Sequence, residues 1–191
     1  MSLPPALSAL LDRASVSPSL LQAPGPDQGA LHLAVAAALR APDHGGLKPT
    51  RFVFIDGEAR RAFGEILADS LARREPATPP ERLEIERGKP LRAPLVVAAG
   101  AALRPGHRIP VWEQEATAAA GVMNFLNALD AQGFGSIWLS SGALRDTTVK
   151  AALGFAETDA LLGWIYAGTP AVNRPRPVRP EPDAFCRSWT P

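Results

Sequence analysis

The sequence predicts a mixed domain of α-helices and β-strands built around one hydrophobic core. Three short apolar runs have the length and β-branched content of buried strands. Between them lie longer segments whose apolar residues recur every three or four positions, as on one face of a helix. With 191 residues the chain is long enough to bury a sizeable core. Its hydrophobic (46%) and charged (20%) fractions are those of globular proteins.

Composition argues against several classes of function. A formal net charge of +1 gives no electrostatic reason to expect binding to nucleic acid or to an anionic membrane. Cys186 is the single cysteine, so neither an intrachain disulfide nor a cysteine metal cage can form. No apolar stretch approaches the length of about 18 residues that spans a membrane, and the first residues lack the pattern of a secretory signal. We therefore expect a cytoplasmic protein.

The first third of the chain predicts two helices and a strand. A helix over residues 4–13 has a leucine stripe, and a loop rich in proline and glycine follows. Asp27 is a suitable N-cap for a second helix that ends near Arg40, because Pro42 disfavours helical geometry in the residue before it. The apolar run 52–55 then suits a buried strand.

The stretch 40–52, between this helix and this strand, contains several basic side chains and a pair of glycines. Gly45 and Gly46 allow a positive φ or a close approach to a ligand. The basic side chains beside them are Arg40, His44, Lys48 and Arg51. Such a group of donors suits an anionic or oxygen-rich ligand. An ordinary loop with solvated charges is the alternative interpretation.

The middle of the chain predicts a surface helix, a flap, a strand and a long buried helix. Residues 58–74 form the surface helix, and the charged segment 81–87 suggests a short helix on a mobile flap. A second strand covers residues 94–99. The helix over residues 111–132 carries no charge between Ala116 and Leu129, so it should be buried on several sides or lie against another subunit. Its early Glu113 and Glu115 favour capping or structural pairing over acid–base chemistry.

The last third ends in a segment that cannot be a helix or a central strand. A short helix is predicted over residues 145–153 and a third strand over residues 161–168. Residues 170–191 are rich in proline and arginine and carry Phe185 and Trp189. An arm that wraps over a neighbouring surface would account for both features.

Several blocks, in this order along the chain, resemble the nitroreductase family, and most closely its minimal YdjA-type branch. They are Arg-Ala-Pro-Asp-His at 40–44, Arg-Ala-Pro-Leu at 92–95, Val-Trp-Glu-Gln-Glu at 111–115, Gln-Gly-Phe-Gly-Ser-Ile-Trp at 132–138 and Leu-Gly-Trp-Ile-Tyr-Ala-Gly-Thr-Pro at 162–170. The resemblance implies an α+β fold with a mostly antiparallel central sheet flanked by helices. It also implies an intertwined homodimer that holds FMN at its interface.

The resemblance divides the chain into a domain and an arm and implies an activity. Residues 1–169 would form the FMN-binding domain, and residues 170–191 the proline-rich arm onto the partner subunit. NADPH or NADH would donate a hydride to the flavin, which would reduce a nitroaromatic, a quinone or another small electrophile. Because the flavin supplies this chemistry, no catalytic side chain and no metal ligand are expected.

The same resemblance implies a set of cofactor contacts. The matching positions are Arg13, Ala14, Ser15, Arg40, His44, Trp138, Leu139 and Ser140. The first three match an Arg-Arg-Ser block that holds the FMN phosphate and ribityl chain. Arg40 and His44 match residues that reach the flavin of the other subunit, and the last three match a block that touches the flavin.

Two of these positions lack an arginine that the family usually has. Ala14 replaces the second arginine of the first block, and Leu139 replaces the arginine that follows Trp138. The sequence leaves two outcomes open: FMN binding is weaker or rearranged, or a lysine or arginine from elsewhere compensates. Two alternatives to the enzyme remain: a non-catalytic homodimer that binds or sequesters flavin, and a cofactor-free homodimer that acts as an interaction module.

Overall fold

The computed structural model describes residues 3–172 and 178–190. The helices of this part are α1 (Pro5–Asp12), α2 (Gln28–Ala38), α3 (Ala59–Arg74), α4 (Pro80–Gly88), α5 (Val111–Ala131) and α6 (Thr147–Ala152). The strands are β1 (Leu21–Gln22), β2 (Thr50–Asp56), β3 (Leu95–Ala101), β4 (Gly135–Leu139) and β5 (Ala160–Pro170). Short 3-10 turns at His44–Gly46 and Gly142–Arg145 border the candidate site.

The strands form one antiparallel sheet with β5 at its centre. Its order is β1-β5-β3-β2, and β4 also pairs with β5. All seven residues of β3 are buried, which explains why this strand is a continuous apolar run in the sequence. The predicted α+β fold, with an antiparallel sheet flanked by helices, is confirmed.

Alternate residues of the central strands enter separate cores on the two faces of the sheet, because strand side chains alternate in direction. On one face Val96 and Trp164 pack with Phe63 of α3, whose ring meets Trp164 edge-on at a centroid distance of 5.2 Å. On the other face Val97 and Ile165 pack with α2 and α5. The candidate site lies around the ends of β4 and α5.

Helix α5 is the long apolar helix that the sequence predicts, and it has one buried side and one uncovered side. Val122, Phe125 and Leu129 are fully buried against the sheet. On the other side Trp112 is 67% and Met123 39% exposed. Within one chain the apolar circumference of α5 is therefore only partly covered.

Helix α4 covers the short charged helix that the sequence predicts, and it packs on α3. The two helices meet at Gly64, where a Cβ atom would overlap the carbonyl oxygen of Arg87. The Arg87 guanidinium also donates to Glu65 at 2.6 Å, and Arg82 donates to Glu75 at 2.9 Å. Close backbone contact and ion pairs join the two helices, and the mobility of this segment stays a prediction.

Local capping explains where two of the helices begin. Asp27 is the N-cap of α2, as predicted, and accepts a hydrogen bond from the Ala30 N–H at 2.8 Å. The helix predicted over residues 145–153 is shorter, because Asp146 accepts from the N–H groups of Thr148 and Val149. This N-cap makes α6 begin at Thr147, after a separate turn.

Asp146 should make stability depend on pH. Burial disfavours its charged form, but hydrogen bonds from Ser70, Arg73 and the backbone outweigh this and lower its pKa from 3.8 to about 2. A carboxylate with a lowered pKa in the folded state stabilises the fold above its unfolded pKa. Asp146→Asn should therefore lower the free energy of unfolding by about 1–2 kcal/mol at neutral pH.

The contribution of Asp146 should disappear as the pH falls from about 4 to about 2. Urea unfolding of the wild type and the variant across this range would measure it. Asp56→Asn, at an exposed position, is the matched control and should leave stability unchanged. A difference between wild type and Asp146→Asn that persists at the lowest pH would contradict the assigned cause.

The described part of the C-terminal segment lies on the surface and has little regular structure. Val178, Phe185 and Trp189 are 98%, 74% and 83% exposed. Arg179 Nη2 donates to the carbonyl oxygen of Arg13 at 2.7 Å, so the segment passes beside the end of α1. Of its predicted arginines, Arg174 and Arg176 fall outside the described residues. Across the described ranges, no helix is long and apolar enough to cross a membrane.

Candidate functional site

The chain that leaves α1 runs directly beside the first residues of β4. The Val16 N–H donates to the carbonyl oxygen of Ser136 at 3.0 Å. A Cβ atom at Gly135 would lie only 3.0 Å from Val16 Cγ2, so a glycine is needed for this approach. The contact brings the predicted segment 13–15 next to the strand that ends in Trp138 and Leu139.

Arg13 carries a buried donor that has no partner. Its Nε is buried and makes no hydrogen bond to any residue that the structure describes. A buried and unsatisfied donor on a charged group is costly, so such an atom points to a missing acceptor. Ala14 beside it is half-buried and Ser15 is exposed. The guanidinium of Arg179 adds a second positive charge close to this segment.

The end of β4 presents the second predicted group. Trp138 is half-buried, and its Nε1 donates to the carbonyl oxygen of Leu162 at 3.1 Å, which fixes the indole against β5. Leu139 is 38% exposed, and Ser140 after it is also exposed. Ser141 accepts a hydrogen bond from Trp164 Nε1 at 3.0 Å. The strand end is thus held by two tryptophans while Leu139 and Ser140 stay accessible.

A cavity of about 730 Å³ opens beyond this strand end. Its charged and polar lining comprises Glu115, Ser140, Ser141, Arg145, Lys150 and Asp159. Lys150 donates to the carbonyl oxygen of Asp159 at 2.7 Å, and the Asp159 carboxylate accepts from the Leu103 N–H at 3.0 Å. These two groups build the wall, and the volume is in the range of small-molecule sites.

A smaller cavity of about 110 Å³ lies on the other side of the same strand end. Leu139, Ser140 and Pro18 line it together with basic residues that follow α4, Lys89 and Arg92. Glu86 lines the same cavity and pairs with Lys89, so Arg92 is the basic residue of this lining whose charge is not matched there. Burial raises the pKa of Tyr166, which also lines this cavity, to about 12. The phenol therefore stays protonated near neutral pH.

The loop between α2 and β2 has a defined conformation that its glycines and Asp43 produce. Gly45 and Gly46 have φ values of +80° and +66°, which confirms the positive φ predicted for this pair. The Asp43 carboxylate accepts from the N–H groups of Leu47 and Lys48 at 3.1 and 2.7 Å. The loop is therefore held by its own hydrogen bonds.

The basic residues of this loop have different environments. Arg51 Nη1 donates to the carbonyl oxygens of Lys48 and Thr50 at 2.7 and 2.8 Å, so this guanidinium stabilises the loop itself. Arg40 is exposed, and its guanidinium has no hydrogen-bond or ionic partner within the described ranges. His44 Nδ1 lies 2.7 Å from Glu113 Oε2, which ties the loop to the first turn of α5.

The structure brings some of the predicted cofactor contacts together and keeps others apart. The chain that follows the segment 13–15 runs along β4: Val16 donates to Ser136, and Pro18 shares a cavity with Leu139 and Ser140. Arg40 and His44 lie instead at the start of α5, and no hydrogen bond or ion pair joins them to those segments in the part of the chain described. Their predicted contact with the other subunit's flavin stays a prediction.

Two further candidates were not identified from the sequence. Glu113 was assigned to capping or pairing, and its pairing is confirmed, but nothing in the sequence indicated His44 as the partner. Arg179 was noted only as part of a basic, proline-rich arm, and its contact with Arg13 could not be foreseen. No local sequence pattern links residues so far apart.

The chain belongs to the nitroreductase family, whose model matches residues 7–169. It is thus an oxidoreductase of the nitroreductase type. YdjA of Escherichia coli (strain K12), named as an NAD(P)H nitroreductase, is 34% identical over 181 residues, which cover 94% of this chain and 97% of that protein. A second protein named as an NAD(P)H nitroreductase, from Haemophilus influenzae, is 30% identical over 150 residues, which cover 78% of this chain and 80% of that protein.

Solved structures share the fold at lower sequence identity. A nitroreductase-like family protein from Bacillus cereus superposes with a TM-score of 0.83 at 18% identity, over 99% of this chain and 98% of that one. A nitroreductase from Desulfovibrio desulfuricans, solved in complex with FMN, gives a TM-score of 0.73 at 20% identity and covers the full length of both chains. These structures establish the fold class.

Proposed function

We propose that this chain is an FMN-dependent oxidoreductase that takes electrons from NADPH or NADH and passes them to a small electrophile. Nitroaromatic compounds and quinones are the proposed class of acceptor, and the cytoplasm is the proposed compartment. The observation that carries the proposal is the buried Nε of Arg13, which has no hydrogen-bond partner among the described residues and belongs to the segment that matches the family's phosphate-holding block. The names of the relatives and the FMN complex of a structural neighbour support it.

The residues present fit an FMN phosphate. A phosphate oxygen is the kind of strong acceptor that Arg13 Nε lacks. Ser15 is exposed beside it and can donate its hydroxyl. Arg179 approaches the Arg13 carbonyl group and would place a second cation where Ala14 provides none. We propose that Arg179 compensates for the missing arginine of the first block.

The chain's own residues bind, orient and leave room for planar partners. FMN, when bound, would supply the redox chemistry, since it accepts a hydride from a nicotinamide and reduces a second substrate. Trp138 and Ser141 fix the strand end, so that Leu139 and Ser140 would border the cofactor in a defined position. The cavity of about 730 Å³ beside Ser140 offers space for a planar donor or acceptor.

A homodimer is the proposed assembly, with residues 170–191 as an arm that touches Arg13 of its own chain through Arg179 and then continues onto the partner subunit. The uncovered side of α5, with Trp112 and Met123, supports it, because an interface would bury these exposed apolar side chains. Leu33 of α2 adds to this surface with 64% exposure. Phe185 and Trp189 are also highly exposed, and burying these aromatic side chains against a partner subunit would be favourable.

Met123→Glu should convert the dimer to monomers, because a charge would be buried in an apolar interface. Sedimentation of the wild type and the variant would measure the mass of each. Ile85→Glu, on α4 at the opposite face of the sheet, is the control and should remain dimeric. A wild-type protein that sediments as a monomer would contradict the proposed assembly.

Steady-state turnover tests the proposed activity. FMN-loaded protein is mixed with NADPH or NADH and with a benzoquinone or a nitrofuran, and the loss of nicotinamide absorbance is followed. Oxidation that requires protein, FMN and acceptor together is the expected result. FMN binding without turnover of any acceptor would instead favour the flavin-sequestering homodimer. This alternative is specific because Leu139 replaces an arginine of the block that touches the flavin in the family.

A further inference from the structure

Among the residues that the structure describes, the contact between His44 and Glu113 is the one in which a carboxylate holds a predicted cofactor residue. Nδ1 of His44 lies 2.7 Å from Oε2 of Glu113. The Glu113 side chain is 26% exposed and the His44 side chain 66% exposed. The described residues offer no hydrogen bond to Nε2 of His44, so one edge of the imidazole is anchored and the other is open.

The backbone around His44 is fixed from the same helix. Thr117 Oγ1 donates to the carbonyl oxygen of Pro42 at 3.0 Å. Glu113 and Thr117 are four residues apart and so lie on one face of α5. On the other side of the loop, Gly45 approaches the side chain of Ile109, where an added Cβ atom would lie at 3.2 Å. The first two turns of α5 therefore hold both the backbone and the imidazole.

We infer that Glu113 is a positioning residue that keeps the proton of neutral His44 on Nδ1. An ionised carboxylate only accepts hydrogen bonds, so the ring nitrogen that faces it must donate. The second nitrogen, Nε2, is then a pure acceptor, as for a histidine whose tautomer a neighbouring carboxylate fixes. His44 would offer this lone pair to a hydrogen-bond donor of the flavin held by the partner subunit.

This inference rests on the proposed function and adds a specific chemical role to it. The donors of FMN are its ribityl hydroxyl groups and the N3–H of its ring, whereas its ionised phosphate has only acceptors. His44 in this tautomer therefore recognises the ribityl chain or the ring, and the phosphate belongs to the Arg13 segment. Loss of the Glu113 contact should weaken FMN and riboflavin equally.

The first test reads the tautomer in protein without flavin. The chain has three histidines, so nitrogen-15 NMR of labelled imidazoles can be assigned with one His44→Gln variant. At a pH where the ring is neutral, wild-type His44 should carry its proton on Nδ1. Glu113→Leu should shift the ring towards the Nε2–H form that free histidine prefers. Glu58→Leu, which removes an exposed partner of Arg61, is the control and should change nothing.

The second test measures dissociation constants for FMN and for riboflavin by flavin fluorescence. Glu113→Leu should weaken both by a similar factor of about 3 to 10, as expected for one neutral hydrogen bond. Glu113→Gln, whose amide oxygen can accept from Nδ1, should recover most of this loss. Adding Glu113→Leu to His44→Gln should cause no further weakening, because Glu113 acts through His44.

The outcomes separate this inference from the proposed function. Wild-type His44 with its proton on Nε2 would overturn the inference, and so would a Glu113→Leu protein that binds both flavins as the wild type does. A loss confined to FMN would also overturn it, because it would mean a phosphate contact. A wild type that binds neither flavin would contradict the proposed function itself. Thermal melting checks that each variant is folded.

Discussion

Arg13→Ala should weaken FMN binding by about 10- to 100-fold. A hydrogen bond to a charged group contributes roughly 1.5–3 kcal/mol, and each 1.4 kcal/mol is a factor of about ten in affinity. The Nε of Arg13 has no hydrogen-bond partner in the described chain, so a phosphate that reached it would satisfy a donor that is otherwise unmet. Titration of the flavin fluorescence measures the dissociation constant.

Riboflavin is the control ligand for Arg13, because it lacks the phosphate. Its affinity should change little in Arg13→Ala, and Arg61→Ala, at an exposed ion pair of α3, should bind FMN as the wild type does. Equal losses for FMN and riboflavin would place Arg13 away from the phosphate and contradict the assignment.

Two variants test whether Arg179 replaces the arginine that Ala14 lacks. Arg179→Ala should weaken FMN in the same direction as Arg13→Ala, and Ala14→Arg should recover the loss in that background. Arg187→Ala, on the same C-terminal segment, is the matched control. An unchanged FMN affinity in Arg179→Ala would contradict the proposal that Arg179 compensates for the missing arginine. It would not contradict the proposed role of Arg13.

Gly163→Ala should lower the free energy of unfolding by about 2–4 kcal/mol, the sum of overpacking and backbone strain. Gly163 lies in β5 with a φ of +154°, and an added Cβ would overlap Trp138 Nε1 and lie 2.6 Å from the carbonyl oxygen of Leu139. Trp138 cannot swing away freely, because its indole N–H donates to Leu162. The substitution should therefore also displace the strand end that borders the candidate site.

Other glycines separate overpacking from strain in this experiment. Gly88→Ala has no atom within 4 Å of the added Cβ and no positive φ, so it should be nearly neutral. Gly133→Ala also has free space but a φ of +86°, so it should show the strain alone, about 1 kcal/mol. Urea unfolding of the three variants gives the ranking. A Gly163→Ala protein as stable as Gly88→Ala would contradict the close packing of β4 and β5.

Local patterns predicted the elements whose causes are local. Asp27 was recognised as a cap because its hydrogen bond spans only three residues, and α5 was recognised as a buried helix from its uncharged stretch between Ala116 and Leu129. The apolar run that forms β3 is buried on both faces of the sheet. Its residues are therefore continuously apolar, without alternation between apolar and polar residues.

Contacts between distant parts of the chain could not be predicted in this way. β1 has two residues and exists only through its pairing with the end of β5. The break between the turn at Gly142–Arg145 and α6 depends on Asp146, whose capping role competes with a continuous helix. The packing of α4 on α3 depends on Gly64, which the sequence shows merely as a glycine within a helix.

The candidate site shows the same division. The resemblance supplied its residues, and the fold joins the chain after Arg13 to β4 through the hydrogen bond between Val16 and Ser136. The partners of its side chains are remote in sequence: Glu113 is 69 residues from His44, and Arg179 is 166 residues from Arg13. Such pairs arise from tertiary structure alone.

The most direct test of the proposed function is a visible absorption spectrum of the purified protein with FMN, recorded without oxygen before and after NADPH or NADH is added. A protein-bound flavin band that bleaches with a nicotinamide and returns when a quinone is added is the predicted result. The choice between NADPH and NADH follows from the rates. A protein that retains no flavin at excess FMN, or a bound flavin that neither nicotinamide reduces, would contradict the proposed function.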